Sequence, residues 1–321
     1  MRNVFISGGA GFIGGHLTAR LLDGIAQRVV VYDNFSSGGP EHLVHLQNDA
    51  RLTVIQNDIQ NLHALTEAMT GADIVFHLAS NPDISKAATQ PDIDFWQGTY
   101  LTQNVLEAMR VQGVKRIVYT SGSGVYGERR DFPFPEDYGP LAPISTYAAS
   151  KIAGEALISS YCHMFDMTAV VFRFANVVGP GQTHGVGYDF LHRLAQNPNE
   201  LTILGDGTQS KSYIHVGDVL EAVLLCEQRT ETRYEIYNVA TQDHITVREI
   251  ADAALEVIGL DKESVRYRFT GGDRGWKGDV PVIRFDLRKI QALGWTACRS
   301  SREAIRASLE GMWGRRKTQA V

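Results

Sequence analysis

The sequence contains little cysteine and no long apolar run. Its 321 residues include three cysteines, Cys162, Cys226 and Cys298, whose spacing fits neither a metal motif nor a disulfide framework. This scarcity favours a reducing compartment, and we predict that no metal is bound. No stretch approaches the roughly 20 apolar residues of a membrane span. The first predicted strand begins at residue 3, which leaves no room for a signal peptide, so we expect a cytoplasmic protein.

Basic clusters are also missing from the body of the chain. The sequence has 31 Lys and Arg against 36 Asp and Glu, a net charge of −5, which argues against a nucleic acid or a membrane as partner. Proline is scarce, with 10 residues against 31 glycines, and this balance suits many tight turns between strands and helices. The length allows one large domain or two modest ones.

A glycine cluster separates the first predicted strand from the first predicted helix. The run of β-formers from Val4 leads into it, and the residues from Phe12 onward are apolar at helical spacing. Gly8 would allow the chain to turn, Gly11 would let the backbone approach a pyrophosphate, and Gly14 would let helix and strand pack closely. The pyrophosphate would lie at the helix N-terminus, where free N–H groups favour an anion.

An acid after the second predicted strand distinguishes between dinucleotides. Asp33 follows the β-run 28–32 and lies 22 residues after Gly11, close to the separation of about 20 expected for a carboxylate that binds ribose hydroxyls. This carboxylate would repel a 2′-phosphate, and no arginine follows it, because residues 34–38 are neutral. The sequence therefore predicts NAD rather than NADP as cofactor.

Strands and helices alternate through the first half of the chain. Such alternation predicts an α/β fold, a Rossmann-type doubly wound parallel sheet. After Arg173 loops and short elements follow, and we predict a smaller C-terminal substrate-binding lobe that covers the first domain. The predicted NAD-binding domain is 1–175, to which 212–240 return, and the lobe is 176–211 with 241–321. Further predicted elements are strands at 52–55, 73–79, 115–120 and 168–173, and helices at 61–69, 93–112, 145–165 and from 246.

A tyrosine and a lysine four residues apart carry the strongest catalytic signal. Tyr147 and Lys151 fall on one face of the predicted helix 145–165. A nearby ammonium favours the phenolate, so we expect the pKa of Tyr147 to be lowered and the phenol to act as a general base. Such pairs also occur on solvated helices, but this one follows a strand end of an NAD-type fold. His77, at another strand end, is expected to be a buried structural histidine.

Taken together, the motifs resemble those of the extended short-chain dehydrogenases/reductases, in the nucleotide-sugar epimerase/dehydratase group. The resemblance covers nearly the whole chain and is specific for fold, cofactor and reaction class, but not for the sugar. The motifs are Gly8–Gly14, Asp33–Gly38, Asp58–Ile59, His77–Ser80, Tyr119–Gly127, Tyr147 with Lys151, Arg173–Pro180 and Asp206–Asp218.

The resemblance implies an enzyme that oxidises a nucleotide-linked sugar with tightly bound NAD. Tyr147 would deprotonate a hydroxyl, usually at C4, while hydride passes to NAD and a 4-keto sugar forms. A homodimer through helices 93–112 and 145–165 is also implied. The implied cofactor-binding residues are Gly8, Gly11, Phe12, Ile13, Asp33, Asn34, Ser37, Gly38, Asp58, Ile59, Leu78, Ala79, Ser80, Tyr147 and Lys151. The implied substrate-binding residues are Ser123, Asn176, Lys211 and Arg274, of which the cations would bind phosphate.

Two departures from the family pattern leave the reaction open. The catalytic Ser or Thr of the family falls at Gly122, so Ser123 is the candidate hydroxyl beside Tyr147 and Lys151. The Asp-Glu pair of the 4,6-dehydratases is replaced by Ser123 and Gly124, which argues against that reaction. The motifs alone favour a nucleotide-sugar 4-epimerase. The length, the motif set and the Gly122 departure together resemble a narrower group, and this resemblance implies 5,6-dehydration of a UDP-N-acetylhexosamine to an exo-glycal, a step of antibiotic biosynthesis. The alternatives are a UDP-hexose or UDP-hexosamine 4-epimerase and an inactive NAD-binding sensor.

Overall fold

The computed structural model describes residues 2–130 and 133–319, and the chain divides into two compact units. Unit 1 consists of Met1–Val125, Ser145–Arg173 and Val223–Tyr237, and unit 2 of Tyr126–Ile144, Phe174–Ala222 and Asn238–Val321. Within the described residues, no helix combines the length and the apolar character needed to cross a membrane.

The elements are numbered along the chain. The strands are β1 Arg2–Ser7, β2 Ala26–Asp33, β3 Leu52–Gln56, β4 Ile74–His77, β5 Arg116–Gly122, β6 Thr168–Phe174, β7 Asn176–Val178, β8 Glu200–Ile203, β9 Ser210–Lys211, β10 Tyr213–His215, β11 Tyr234–Val239, β12 Ile245–Thr246 and β13 Arg266–Phe269. The α-helices are α1 Phe12–Leu22, α2 Leu62–Ala68, α3 Leu101–Gln112, α4 Thr146–Met164, α5 Val186–Gln196, α6 Val216–Arg229, α7 Val247–Ile258, α8 Arg288–Ala292 and α9 Ser301–Gln319.

Unit 1 is built on a seven-stranded parallel sheet with the strand order β11-β6-β5-β4-β1-β2-β3. β1 pairs with β2 on one side and with β4 on the other. The strand order therefore reverses at β1, and doubly wound sheets bind ligands at such a switch point. Side chains such as Phe5, Val75, Val105, Ile117 and Val171 are buried in the core of this unit. The predicted Rossmann-type α/β fold is confirmed.

The helix predicted over 93–112 is divided in two. Residues Phe95–Tyr100 form a π-helical segment, and α3 follows it directly. The Thr102 hydroxyl of α3 donates to the Gly98 carbonyl of this segment at 2.9 Å. A Cβ added at Gly98 would lie 2.6 Å from the Ser150 hydroxyl. The wider turns thus lie where this segment packs tightly against α4.

Unit 2 contains small sheets and helices around a separate core. β7 pairs with β10 and β8 with β13 in parallel, and β9 pairs with β12 antiparallel. Helices α5, α7 and α9 contribute Leu191, Ile250 and Leu309 to the buried core. α7 begins with a capping box, in which the Thr246 hydroxyl accepts from the Glu249 N–H and the Glu249 carboxylate accepts from the Thr246 N–H.

Residues 126–144 group with unit 2, although the sequence-based boundaries placed them in the NAD-binding domain. Hydrogen bonds explain this difference, because the Phe134 N–H donates to the Arg284 carbonyl and the Asn238 amide donates to the Phe134 carbonyl. The Tyr126 ring also stacks on Phe134. Residues 212–222 group with unit 2 as well. The assignment of one unit to cofactor and the other to substrate stays a prediction.

Candidate active site

The glycine turn between β1 and α1 contains very close backbone contacts. Gly8 has a φ of +75°, and an added Cβ would lie 2.6 Å from the backbone nitrogen of Ala79. A Cβ at Gly14 would lie 2.3 Å from the Gly8 carbonyl oxygen. Helix α1 has Gly11 at its N-cap and no capping side chain, so N–H groups of its first turn are left for an anion. These features fit a pyrophosphate.

Asp33 ends β2 beside this turn. One carboxylate oxygen accepts a 2.9 Å hydrogen bond from the Ala10 N–H, and the other accepts one of the same length from the Phe35 N–H. These bonds hold the carboxylate against the turn, and each oxygen keeps a lone pair that could accept a ribose hydroxyl. The position therefore suits the ribose role predicted for Asp33.

The loop after β2 also lies against the glycine turn. A Cβ at Gly38 would come within 2.3 Å of the Ala10 carbonyl oxygen, which accepts a hydrogen bond from the Gly39 N–H. At the other end of the loop, the Asn34 amide donates to the Asp58 carboxylate at 2.8 Å. The structure thus brings the predicted cofactor residues of 34–38 and Asp58 together.

His77 ends β4 and is completely buried. Its Nδ1 lies 2.7 Å from the Ser7 hydroxyl and its Nε2 lies 3.0 Å from the Thr102 hydroxyl. Burial lowers the pKa of His77 to about 3, so the imidazole is neutral, and the predicted structural role is confirmed. The following N–H groups of Leu78 and Ala79 both donate to the Ser7 carbonyl, which brings this predicted cofactor segment beside the turn.

Helix α4 carries the predicted catalytic pair to the end of β5. The helix is capped by the Ser145 hydroxyl, which accepts from the Ala148 N–H at 3.2 Å. The ammonium of Lys151 is buried and donates to the Thr120 carbonyl at 2.8 Å. It lies 5.5 Å from the centre of the half-buried Tyr147 ring. The two side chains are therefore neighbours, but the hydrogen bond of the lysine is made to the strand.

The environment raises the pKa of the phenol rather than lowering it. Burial raises the pKa of Tyr147 to about 12, a hydrogen bond with the Ser80 side chain acts in the opposite direction, and the charge of Asp94 raises the pKa further. Burial also lowers the pKa of Lys151 to about 8, against the pull of Glu155 and Asp94. The predicted lowering for Tyr147 is wrong because desolvation of the phenol outweighs an ammonium that is bonded elsewhere.

One turn beyond Lys151, Glu155 forms a buried ion pair with Arg173. The guanidinium donates to the two carboxylate oxygens at 3.0 and 2.7 Å, and the side chains are only 3% and 6% exposed. The Tyr234 hydroxyl donates to the Glu155 carbonyl. These contacts tie α4 to β6 and β11, and so fix the helix that carries Tyr147.

The end of β5 has space where the family resemblance places a catalytic hydroxyl. A Cβ added at Gly122 would meet no atom within 4 Å. On one side, the buried hydroxyl of Ser121 has no hydrogen-bond partner in the described structure. On the other, Ser123 begins a 3₁₀ turn, and its hydroxyl makes no hydrogen bond within the described chain. The side chain that lowers the pKa of the Tyr147 phenol is instead that of Ser80, an interaction that the sequence does not predict.

The two cations predicted to bind phosphate lie in unit 2, where each is paired with a carboxylate. Lys211 forms an ion pair with Asp279. Arg274 donates to both oxygens of Glu128, at 3.3 and 3.0 Å, and also to both oxygens of the adjacent Asp273, at 2.8 and 3.0 Å. Asn176, the remaining predicted substrate residue of this unit, is half-buried at the start of β7. A bound phosphate would therefore replace these carboxylates or share the cations with them.

Sequence patterns do not single out Arg284, although its guanidinium has no carboxylate partner within the described chain. It donates to the carbonyl of Ser210 at 2.9 Å and to the hydroxyl of the same residue at 3.1 Å. Burial lowers the pKa of Arg284, and its charge adds to the burial that lowers the pKa of His244. A partly buried cation without a counter-charge is a further candidate for an anion in this unit.

A sequence model of the NAD dependent epimerase/dehydratase family matches residues 4–240, well over half of the chain. The chain belongs to this family. It is therefore an enzyme that uses NAD and acts on nucleotide sugars by epimerase or dehydratase chemistry, as the sequence motifs predicted. The glycine turn, Asp33 and the uncapped end of α1 fit that cofactor.

Both epimerases and dehydratases are similar to this chain over nearly its whole length. A UDP-glucose 4-epimerase of Mycolicibacterium smegmatis is 31% identical over 95% of this chain and 96% of its own. The structure of a UDP-N-acetylglucosamine 4-epimerase from Methanobrevibacter ruminantium, in complex with UDP-N-acetylmuramic acid, has a TM-score of 0.85 and 26% identity, with 98% and 99% of the two chains covered. That of a dTDP-glucose 4,6-dehydratase from Streptomyces venezuelae, with NAD bound, has a TM-score of 0.89 and 27% identity, with 99% and 98% covered.

Proposed function

We propose that this enzyme converts a UDP-N-acetylhexosamine into its 5,6-unsaturated exo-glycal through a transient 4-keto sugar. NAD would take up the hydride from C4 and return it, so that no cofactor is consumed. The observation that carries the proposal is the open space at Gly122, where the resemblance places the Ser or Thr of related enzymes. A sugar ring could lie closer to the backbone there, in a fixed pose that favours elimination over rotation of the ring.

The roles of the α4 residues follow from their contacts. Tyr147 would accept the proton of the C4 hydroxyl, and Lys151, held by the Thr120 carbonyl, would supply positive charge beside the phenol. Because the pKa of Tyr147 is raised to about 12, the phenol is protonated at neutral pH and must first lose its own proton. We propose that this proton passes to solvent water before hydride transfer, assisted by the Ser80 side chain that lowers the pKa of the phenol, and that Ser123 contacts the substrate.

The 4-keto group makes elimination accessible. It acidifies the neighbouring C5–H bond, so that a base can remove this proton while the C6 hydroxyl is protonated and leaves as water. Return of the hydride to C4 then gives the exo-glycal. The atoms lost from the sugar are those of one water molecule, which gives the proposal a direct signature in the mass of the product.

Different observations support the proposed binding of the sugar nucleotide and the proposed homodimer. Asn176, Lys211 and Arg274 would bind the diphosphate, and we place substrate binding in unit 2. The hexosamine preference is supported by the related structure that contains UDP-N-acetylmuramic acid. A homodimer is supported by exposed apolar side chains on the helices that the resemblance assigns to the interface, such as Trp96, which is 45% exposed, and Met164, which is 71% exposed.

A UDP-hexose or UDP-hexosamine 4-epimerase is the second candidate. It is favoured by the relatives that carry this name, and it uses the same Tyr147 and Lys151. In that case Ser123 or a water would replace the hydroxyl missing at Gly122. An inactive NAD-binding sensor is the least favoured candidate, because it would have no use for the neighbouring side chains of Tyr147 and Lys151.

The deciding experiment is incubation of the enzyme with UDP-N-acetylglucosamine in deuterated water, followed by mass and proton spectra of the product. Loss of water is the result expected for the dehydratase, because only that reaction breaks C5–H and C6–O. Unchanged mass without deuterium at C5 would reject the dehydratase and leave the epimerase. The absence of any product from UDP-sugars would favour the sensor.

Gly122→Ser tests the role of the open space. Since an added side chain meets no neighbour, we expect a folded enzyme in which elimination is slowed and exchange at C4 is increased. Gly314→Ser is the matched control, because a Cβ at this exposed glycine also meets no atom within 4 Å. An ordinary epimerase would show neutral or improved turnover in Gly122→Ser.

A further inference from the structure

Asp94 is a buried carboxylate of unit 1 that the roles described so far do not use. It directly precedes the π-helical segment and is 1% exposed. One oxygen accepts a 2.9 Å hydrogen bond from the Asn81 amide, and the other accepts a 2.6 Å bond from the Thr146 hydroxyl. No cationic side chain of the described chain forms an ion pair with it. A buried carboxylate held only by neutral donors is costly, which points to a purpose other than stability.

The two donors lie next to the residues that meet at the phenol. Asn81 directly follows Ser80, and Thr146 directly precedes Tyr147. The Ser80 side chain acts on the Tyr147 phenol and opposes the effect of burial on its pKa. The Asp94 carboxylate joins the loop after β4 to the first turn of α4, on either side of these two residues.

The charge of Asp94 also acts on the catalytic pair. It raises the pKa of Tyr147, after burial, and it opposes the effect of burial on Lys151. Other titratable groups face these two side chains from α4, β5 and β4, namely Glu155, Tyr119 and His77. Of these, Glu155 is paired with Arg173 and His77 is neutral. Among the described groups, Asp94 is thus the unpaired negative charge beside the phenol.

We propose that Asp94 is a positioning residue for Tyr147, which fixes the first turn of α4 against the loop after β4 through Thr146 and Asn81 and places a carboxylate charge beside the catalytic pair. The inference rests on the proposed role of Tyr147 in proton transfer. It predicts two separable effects, since the charge can be removed without the hydrogen bonds and one hydrogen bond can be removed without the charge.

Asp94→Asn removes the charge and keeps the shape. The Asn81 amide can still donate to the side-chain oxygen at 94, and the Thr146 hydroxyl can turn to accept from the new amide. The ionisation of Tyr147 is followed by phenolate absorption, as the difference between each protein and the same protein carrying Tyr147→Phe. We expect the Tyr147 titration in Asp94→Asn to move to lower pH by about one unit. Asp92→Asn is the matched control, because Asp92 is exposed on the same segment and should leave the titration unchanged.

Thr146→Val removes one hydrogen bond and keeps the charge. We expect kcat with UDP-N-acetylglucosamine to fall by about 10- to 100-fold, the effect of losing a hydrogen bond to a charged group, with little change in KM. The pH at which turnover is half-maximal should not move. Thr146→Ser retains the hydroxyl and should restore turnover.

The spectroscopic test needs no substrate, so it separates this inference from the proposed function. If no UDP-sugar is turned over but the titration moves in Asp94→Asn, the proposed function fails and the electrostatic role of Asp94 stands. If Asp94→Asn titrates like Asp92→Asn and Thr146→Val turns over like Thr146→Ser, the inference is overturned. Should Asp94→Asn fail to fold, the comparison of Thr146→Val with Thr146→Ser decides the matter.

Discussion

Substitution of Gly8 by alanine gives the sharpest test of the glycine turn. Gly8 has a φ of +75°, where an L-residue costs about 1–2 kcal/mol relative to glycine. Its Cβ would also lie 2.6 Å from the nitrogen and 2.8 Å from the Cα of Ala79, which forces the backbone apart. Overpacking of this kind costs about 1–3 kcal/mol. We therefore expect Gly8→Ala to lower the free energy of unfolding by about 2–5 kcal/mol.

Gly71 provides a matched control. It has the same φ of +75°, but an added Cβ meets no atom within 4 Å. Gly71→Ala should therefore lose only the conformational contribution of about 1–2 kcal/mol. The difference between the two variants isolates the close approach of the turn to the residues after β4. It is measured as the shift in the urea midpoint at constant m.

The same two variants test the binding of NAD. A ligand present at about 100 times its Kd stabilises the folded state by about 2.7 kcal/mol. Gly71→Ala should still be stabilised by NAD to this extent. Gly8→Ala should lose this stabilisation, because the displaced turn can no longer bind the pyrophosphate. Equal destabilisation by the two substitutions would refute the steric argument, and a full NAD increment in Gly8→Ala would refute the assignment of the turn.

Three further predictions concern the residues around the turn and α4. Tyr147→Phe should lower turnover by about 10²–10⁴-fold while NAD stays bound. Quenched assays measure the turnover, and absorption of the cofactor measures the bound NAD. Near-normal turnover would show that the phenol has no catalytic role. Asp33→Ala should weaken NAD binding by about 1.5–3 kcal/mol in calorimetry, and equal affinity of the unaltered protein for NADP would contradict the ribose assignment. Glu155→Gln should lower the free energy of unfolding by about 3–5 kcal/mol in thermal unfolding, because the buried guanidinium of Arg173 loses the charge of the Glu155 carboxylate. A shift in Tm no larger than that caused by breaking an exposed ion pair would argue against this.

Local patterns were sufficient for the parts of the fold that depend on residues close in sequence. The turn at Gly8, the acid at Asp33 and the capping box at Thr246 each lie within a short stretch whose spacing defines the geometry. The resemblance supplied the reaction class, which these spacings alone do not determine. The π-helical turns at 95–100 were not predicted, because they depend on the packing of Gly98 against a helix about 50 residues away.

The chemistry of the site depended on contacts that no local pattern contains. The lowered pKa predicted for Tyr147 was wrong because burial, and not spacing, decides its sign. Lys211 and Arg274 were predicted as phosphate-binding cations, yet Lys211 pairs with a carboxylate 68 residues away, and Arg274 pairs with one 146 residues away as well as with the adjacent Asp273. Asp94 was missed for the same reason, since its donors are 13 and 52 residues distant.

The spacing of the side chains on helix α4 also limits which sequence changes this protein can tolerate. Its side chains at 147, 151 and 155 follow one another at intervals of four residues, and the side chains of Lys151 and Glu155 have fixed partners outside the helix. One residue inserted between them would rotate everything beyond it by about 100° and separate the phenol, the ammonium and the carboxylate from one another. The outer face of α4 can therefore change in composition, but the stretch from 145 to 155 cannot change in length. Insertions and deletions should therefore be engineered outside this stretch of the chain.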